Sequence, residues 1–336
     1  MIVTGTVPEQ LSHDVSEHLA ARGLVPVGTG LELTSLAGGV SNDVIAVSGP
    51  GIDVVVKRAL STLRVEELWN ADPKRLQVEG RALQLAGTML PAVTPRVLDL
   101  DDEFLVIERS PRDWYEWRTE LISGVADTRV ARELGHSLGI WQFNTTATPS
   151  LVEAFLDRDS FHQLRVQPFH ETVLARHADL SEAIRQTIEV MLSRQTCLVH
   201  GDFTPKNILV EPPTAPICER RLWVLDWEVA HVGDEDFDAA SLLAHLLIKS
   251  VHQPKMSSAL FDCARAFVKS WQSHIEISSD QSHLVRQIGC MLLARVDGKS
   301  PVGYLDRNGQ HKIRQIGRLL LQKPGTTIAQ LWEMTK

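Results

Sequence analysis

Strand-like periodicity occurs in two places in this chain, and that distribution restricts the folds open to it. Three short apolar runs, LELTSLAGG (31–39), VSNDVIAVSG (40–49) and IDVVVKRAL (52–60), are separated by glycine or by Gly49-Pro50-Gly51, the punctuation of a small antiparallel meander. Upstream, residues 8–24 carry Leu11, Val15, Leu19 and Leu24 at helical spacing. PKRLQVEGRALQLAG (73–87) reads as a helix with Leu76, Val78, Ala82, Leu83 and Leu85 inward, and PRVLDLDDEFLVIERS (95–110) as two strands joined by an acidic turn. Beyond Arg112 helical periodicity dominates 112–143, 150–195, 238–275, 283–296 and 310–335. The second place is an island, 197–233, with apolar runs around polar loops. The pattern predicts an α+β chain: a small β-rich lobe over 1–109, a connector near 107–113, and a large, mainly helical lobe over 110–336 that holds the island.

Composition bounds the partners. At ~100–200 residues per domain, 336 residues allow two or three domains, and 43% apolar with 23% charged residues excludes fibrous, collagen-like and wholly disordered chains. Lys+Arg 34 against Asp+Glu 42 gives 34 − 42 = −8. No basic surface is available for a phosphate backbone, so no nucleic-acid partner is expected and an anionic membrane is disfavoured. An anionic ligand must then find local cations, from Lys/Arg or a metal ion. Cys197, Cys218, Cys263 and Cys290 form no CxxC pair and sit beside apolar stretches, which predicts reduced core thiols. The start lacks the basic and apolar regions of a signal peptide, and the best apolar run, 240–248, is short of the ~18–20 residues a membrane helix needs. A cytoplasmic location is expected.

The chemistry concentrates in the island. In LVHGDFTPKNILV, Asp202 and Asn207 stand at opposite ends of one tight loop anchored by apolar runs. Further on, RLWVLDWEVA presents Asp226 and Glu228, which project to one side if the backbone there is extended. Two carboxylates with the Asn207 amide oxygen are hard ligands suited to Mg²⁺ that leave room for water and phosphate. Asp202 is placed to orient and deprotonate a hydroxyl attacking phosphorus. The bland alternative is a polar turn and a strand end with solvent-facing acids.

HGDxxxxN followed by a hydrophobic run ending in D-x-E resembles the aminoglycoside phosphotransferase and choline kinase superfamily, small-molecule relatives of protein kinases, whose matching loops are H-R-D-x-x-x-x-N and D-F-G. The resemblance implies a bilobal protein-kinase-like fold with Asp202 as catalytic base, Asn207 and Asp226 as metal ligands, Glu228 helping to hold a second metal or its water, and ATP and Mg²⁺ as cofactors. It gives Asp238 the task of propping the catalytic loop and His200 a scaffold role. In the first third it implies a glycine turn over the phosphates at Gly38, Gly39 and Ser41, a phosphate-binding Lys57 braced by Glu79, and a connector at Ile107, Glu108 and Arg109 whose main chain meets adenine.

Residues 57–83, with ALxxLRV, a tryptophan and D-P-x-R before the acid helix, are similar to 5-methylthioribose kinases. Asn207 and Asp-Trp-Glu lie nearer the general aminoglycoside-phosphotransferase pattern. The implied acceptor is a small-molecule hydroxyl: a methylthioribose-like pentose or another sugar, an amino alcohol, or an aminoglycoside. Asp234, with Glu235 and Asp236, suits a cationic acceptor; Trp227, among Trp114, Trp117 and Trp141, suits stacking on a sugar. Arg295 is a candidate for a substrate hydroxyl or phosphate, against its reading as a helix C-terminal cation. Two rivals remain: a nucleotide-binding regulator without turnover, and a metal-dependent phosphoesterase built on His200, Asp202 and Asp226. A homodimer is compatible with the sequence, which chooses neither an oligomeric state nor ATP over GTP.

Overall fold

The computed structural model describes residues 5–36, 42–60, 74–213, 220–274 and 281–335. The chain divides into two compact units, Met1–Arg112 and Asp113–Lys336.

In the first unit α1 (Glu9–Ala21) precedes β1 (Glu32–Ser35), β2 (Asn42–Gly49), β3 (Ile52–Ala59), α2 (Arg75–Met89), β4 (Val97–Leu100) and β5 (Leu105–Glu108). The strands form one antiparallel sheet in the order β1-β2-β3-β5-β4. The β2–β3 hairpin closes tightly because Gly49 pairs with Ile52: Pro50 suits the first corner of a type II turn, and Gly51, at φ 79°, supplies the positive φ of the second. The acidic β4–β5 turn is tied by Asp101, whose carboxylate accepts the amides of Glu103 (2.9 Å) and Phe104 (2.8 Å). Alternation sorts the faces of β3. Val54 and Val56 join Leu11, Val15 and Leu19 of α1 in the core, so Val55 and Lys57 take the opposite face, where Lys57 meets Glu79 of α2.

The second unit is mainly helical. Its central helix, Asp236–His252, is apolar on nearly every side, and Leu242, Leu246, Leu247 and Ile248 are fully buried, as such a pattern requires. Helices Ser257–Gln272 and Ser282–Asp297 pack against it. The island folds into β7 (Cys197–Val199), β8 (Ile208–Val210), β9 (Leu222–Val224) and β10 (His231–Gly233). β7 pairs with β10, and β8 lies between β9 and β6 (Tyr115–Glu116). Strand β6 departs from the helix expected over 112–143: two residues are too few to set a period, and pairing with Leu209 and Val210 makes them extended. A second departure is a π-helix, His162–Glu171, with Pro168 inside it. Cys197, Cys263 and Cys290 are free and buried; Cys218 lies outside the described residues. Among those residues, no helix is long and apolar enough to cross a membrane.

Three histidines are sealed in this unit: His170, His200 and His231, each at most 2% exposed. Burial pushes the pKa of each down to about 4, so the unfolded chain binds more protons than the folded one between about pH 6.5 and 4. Stability is therefore present above the ordinary histidine pKa and falls as pH drops, by up to ~1.4 kcal/mol per unit for each histidine. Urea midpoints measured from pH 7.5 to 4.5 are expected to fall across this window. His231→Phe, which preserves a ring stacked on Phe161 (3.8 Å between centroids), should flatten the slope; an unchanged slope would contradict the assignment.

Candidate active site

The loop after β7 is shaped by its own backbone. Gly201 sits at φ 80°, and a Cβ there would lie 2.8 Å from the Val229 side chain and 3.0 Å from its carbonyl oxygen, so the position accepts only glycine. Asp238, fully buried on the first turn of the central helix, accepts the amides of His200 (2.7 Å) and Gly201 (2.9 Å). His200 then has both ring nitrogens engaged. Its Nδ1 accepts the Asp202 amide (3.1 Å), and Nε2 donates to the Leu225 carbonyl (2.9 Å). That bonding fixes a neutral tautomer, consistent with the lowered pKa, and leaves no nitrogen for a metal ion. The phosphoesterase alternative loses its histidine ligand on this observation.

Asp202 is 6% exposed. Its Oδ2 accepts the Asn207 side-chain amide at 2.8 Å, and that amide also reaches the Asp202 carbonyl at 3.0 Å. Arg165 Nη2 stands 3.0 Å and Lys206 Nζ 3.7 Å from the same carboxylate. Burial acts to raise the Asp202 pKa, but Arg165, Lys206 and Arg295 outweigh it and hold the carboxyl well below the usual range. Arg165, absent from the expected site, also donates through Nε to the Gly201 carbonyl at 2.9 Å. It lies on the π-helix, and the signal that marks the segment is Pro168 inside an otherwise helical run.

The β8–β9 register brings the metal candidates together. Ile208 pairs with Val224, and the Leu225 amide donates to the Asn207 carbonyl (2.8 Å), so Asp226 follows directly beside Asn207. Asp226 has φ 67°, the one left-handed non-glycine among the described residues, a conformation costing ~1–3 kcal/mol that other contacts must sustain. The amide oxygen of Asn207 and the carboxylate of Asp226 are hard donors that fit Mg²⁺. The extended backbone expected at Asp226-Trp227-Glu228 is not found: β9 ends at Val224 and the chain turns, so alternation does not align Glu228, 5% exposed, with Asp226.

Two substrate candidates need correction. Trp227 is 1% exposed, T-stacked on Trp141 (4.9 Å) with its indole N–H on the Val224 carbonyl; it is core and offers no face to a sugar. Asp234 is 1% exposed and engaged by Arg194 (2.9 Å), His283 (2.6 Å) and Gln287 (3.2 Å). Arg194 also binds Glu235 and Asp236, so Asp234 is spent on internal partners and is not presented to a cationic acceptor. Arg295 is half-buried, its guanidinium 4.8 Å from the Phe169 ring centroid.

In the first unit Lys57 Nζ lies 2.5 Å from Glu79 Oε1, both buried. Ile107 is paired on both sides, with Val55 and Val97, and the Glu108 amide donates to the Arg96 carbonyl (2.9 Å). Arg109 donates to Asp53 at 2.9 Å. Gly38, Gly39 and Ser41 lie outside the described residues.

Comparison with known proteins bears on the family and the fold. A family model described as the phosphotransferase enzyme family matches residues 32–253. Methylthioribose kinase of Yersinia pseudotuberculosis serotype O:3 is 26% identical over 231 residues, 61% of this chain and 55% of that protein. The Pectobacterium atrosepticum methylthioribose kinase is 27% identical over 223 residues, covering 58% and 54%. The chain thus spans about half the length of the curated relatives it matches. Among solved structures, a microcompartment-associated aminopropanol kinase superposes with a TM-score of 0.56 at 14% identity, covering 94% of this chain and 99% of that one. The amicoumacin kinase hAmiN gives 0.53 at 14%, covering 96% and 97%. These two share the fold.

If the Asp238 carboxylate holds the loop, Asp238→Ala strands two buried amides and should cost roughly 2–5 kcal/mol, measured by urea denaturation. A loss below 1 kcal/mol would show that the loop holds its shape without it.

Proposed function

The chain belongs to the phosphotransferase enzyme family, and from that membership and the loop geometry we propose that it transfers the γ-phosphoryl group of ATP to a hydroxyl of a small molecule. The observation that carries the reading is the Asp202 carboxylate, fixed by Asn207 and flanked by Arg165 and Lys206 within 4 Å. A base held so acidic remains ionised throughout the working pH range. It orients the acceptor hydroxyl and receives its proton as the new O–P bond forms and the bond to the β-phosphate oxygen breaks, which suits a loose transition state with little need for early deprotonation. Arg165 and Lys206 supply positive charge where the transferred group becomes more exposed.

Asn207 and Asp226 are assigned to Mg²⁺, with Glu228 carried by resemblance alone. When bound, the ion offsets negative charge on the phosphates. Lys57, braced by Glu79, is assigned to the nucleotide phosphates, and the main chain near Ile107 and Arg109 to the base. These assignments place nucleotide binding in the first unit and acceptor binding in the second.

Asp202→Asn is expected to lower kcat by about 10²–10⁴ while nucleotide affinity stays within a few-fold, read by coupled ADP release and by titration with a fluorescent ATP analogue. Retained turnover would remove Asp202 from the reaction. Lys57→Met should act mainly on nucleotide affinity, and chelation of divalent cations should abolish both turnover and the thermal stabilisation by ATP.

A further inference from the structure

Lys249 is a buried cation that its surroundings do not neutralise. It lies on the central helix at 1% exposure, its ammonium 5.6 Å from the centroid of the Tyr304 ring. Among the described residues, the charged groups that act on it are Arg118 from helix Trp117–Ser123, itself paired with Glu116 at 2.7 Å, and Arg295 from helix Ser282–Asp297. Burial, with like charge from these two, pushes the ammonium down to about 7. A single ring face is weak compensation for a desolvated charge.

The neighbours point the same way. His245 and Lys249 stand at i and i+4 on one helix face, and His252 continues that face with its ring 5.0 Å from Tyr304. The Tyr304 hydroxyl and His245 Nε2 are both buried without a hydrogen-bond partner. Arg295 acts on Tyr304 and also on Asp202, so the group is electrostatically continuous with the proposed catalytic carboxylate. A desolvated ammonium, a guanidinium, the Tyr304 hydroxyl and the Nε2–H tautomer of His245 are complementary to the oxygens of an anion and repel a cation.

We propose that Lys249, Arg295, His245 and Tyr304 form a subsite for an oxyanion of the acceptor, a carboxylate or phosphate, so that the hydroxyl phosphorylated belongs to an anionic small molecule. This rests on the kinase reading above. The rival source of the same chemistry is the nucleotide's terminal phosphate.

Two measurements on the full chain separate these. The first follows unfolding temperature with inorganic phosphate or tricarballylate and no nucleotide. The wild type is expected to rise by several degrees. Lys249→Met, which removes the unpaired charge at similar length, should fold at least as stably and lose most of that rise; Tyr304→Phe, which removes one hydroxyl, should lose part of it. Equal rises in all three overturn the subsite.

The second measures phosphoryl transfer from ATP to ribose 5-phosphate, glycerate and gluconate against ribose, glycerol and kanamycin. The anionic acceptors are expected to lead by about tenfold or more in kcat/KM. Lys249→Met should erase that lead through acceptor KM, with the KM for ATP unchanged within about twofold. A rise in the KM for ATP instead assigns the cluster to the nucleotide and overturns the acceptor subsite. Turnover with no preference for anions overturns the inference and leaves the kinase reading intact. Anion stabilisation lost in Lys249→Met, with no transfer by the wild type to any acceptor, supports the oxyanion subsite and counts against the kinase reading.

Discussion

The second unit is organised around one carboxylate. Asp238 receives the amides of His200 and Gly201 and so fastens the loop after β7 to the first turn of the central helix. With those amides held, His200 can accept the Asp202 amide on one nitrogen and reach the Leu225 carbonyl with the other. The loop carrying Asp202 is thereby joined to the segment carrying Asp226. Burial pushes Asp238 up to about 7 while the two amides pull it down, and the helix N-terminus beneath favours the charge. Each amide would otherwise be a buried donor without a partner, and the cost of that state makes the connection rigid.

A second constraint is the placement of charge. The chain is acidic overall, at −8, yet around Asp202 the pattern reverses, with Arg165, Lys206 and Arg295 all acting on one carboxylate. The acids that sequence position assigned to substrate recruitment, Asp234 to Asp236, are consumed by Arg194 and His283. Net charge therefore says little about the charge of the ligand. What matters is which charged groups remain unpaired after folding, and among the described residues Lys249 is the clearest of them.

The fold was legible because its signals are local. Alternation and Gly-Pro-Gly mark the meander, Leu11, Val15 and Leu19 mark the helix that covers it, and HGDxxxxN marks the loop after β7. The pairings Lys57–Glu79 and Asp202–Asn207 were also within reach, since each follows from an ordered motif. Arg165 was not, because a π-helix has no periodic signature short enough to detect and its contact with Asp202 spans 37 residues. Strand β6 was missed for a similar reason: two residues carry no period. The alignment of Glu228 with Asp226 failed because it needed an extended backbone, and a left-handed φ at a non-glycine residue such as Asp226 cannot be inferred from residue type; Trp227 failed as a stacking face because packing on Trp141 buries it.

By itself the sequence determined the division into a β-rich and a helical part, the residues of the loop to which phosphoryl-transfer chemistry is proposed, and the alternation that sets the face of β3 on which Lys57 stands. These follow from hydrophobic periodicity and from residue types at short spacing, both properties of local chain geometry. Tertiary structure decided which charges are spent on one another. It turned Asp234 inward, brought Arg165 to Asp202, and buried Lys249 where no acid among the described residues pairs it. Such outcomes depend on contacts between residues tens of positions apart, where desolvation and Coulomb terms act through space and leave no trace in the order of the chain.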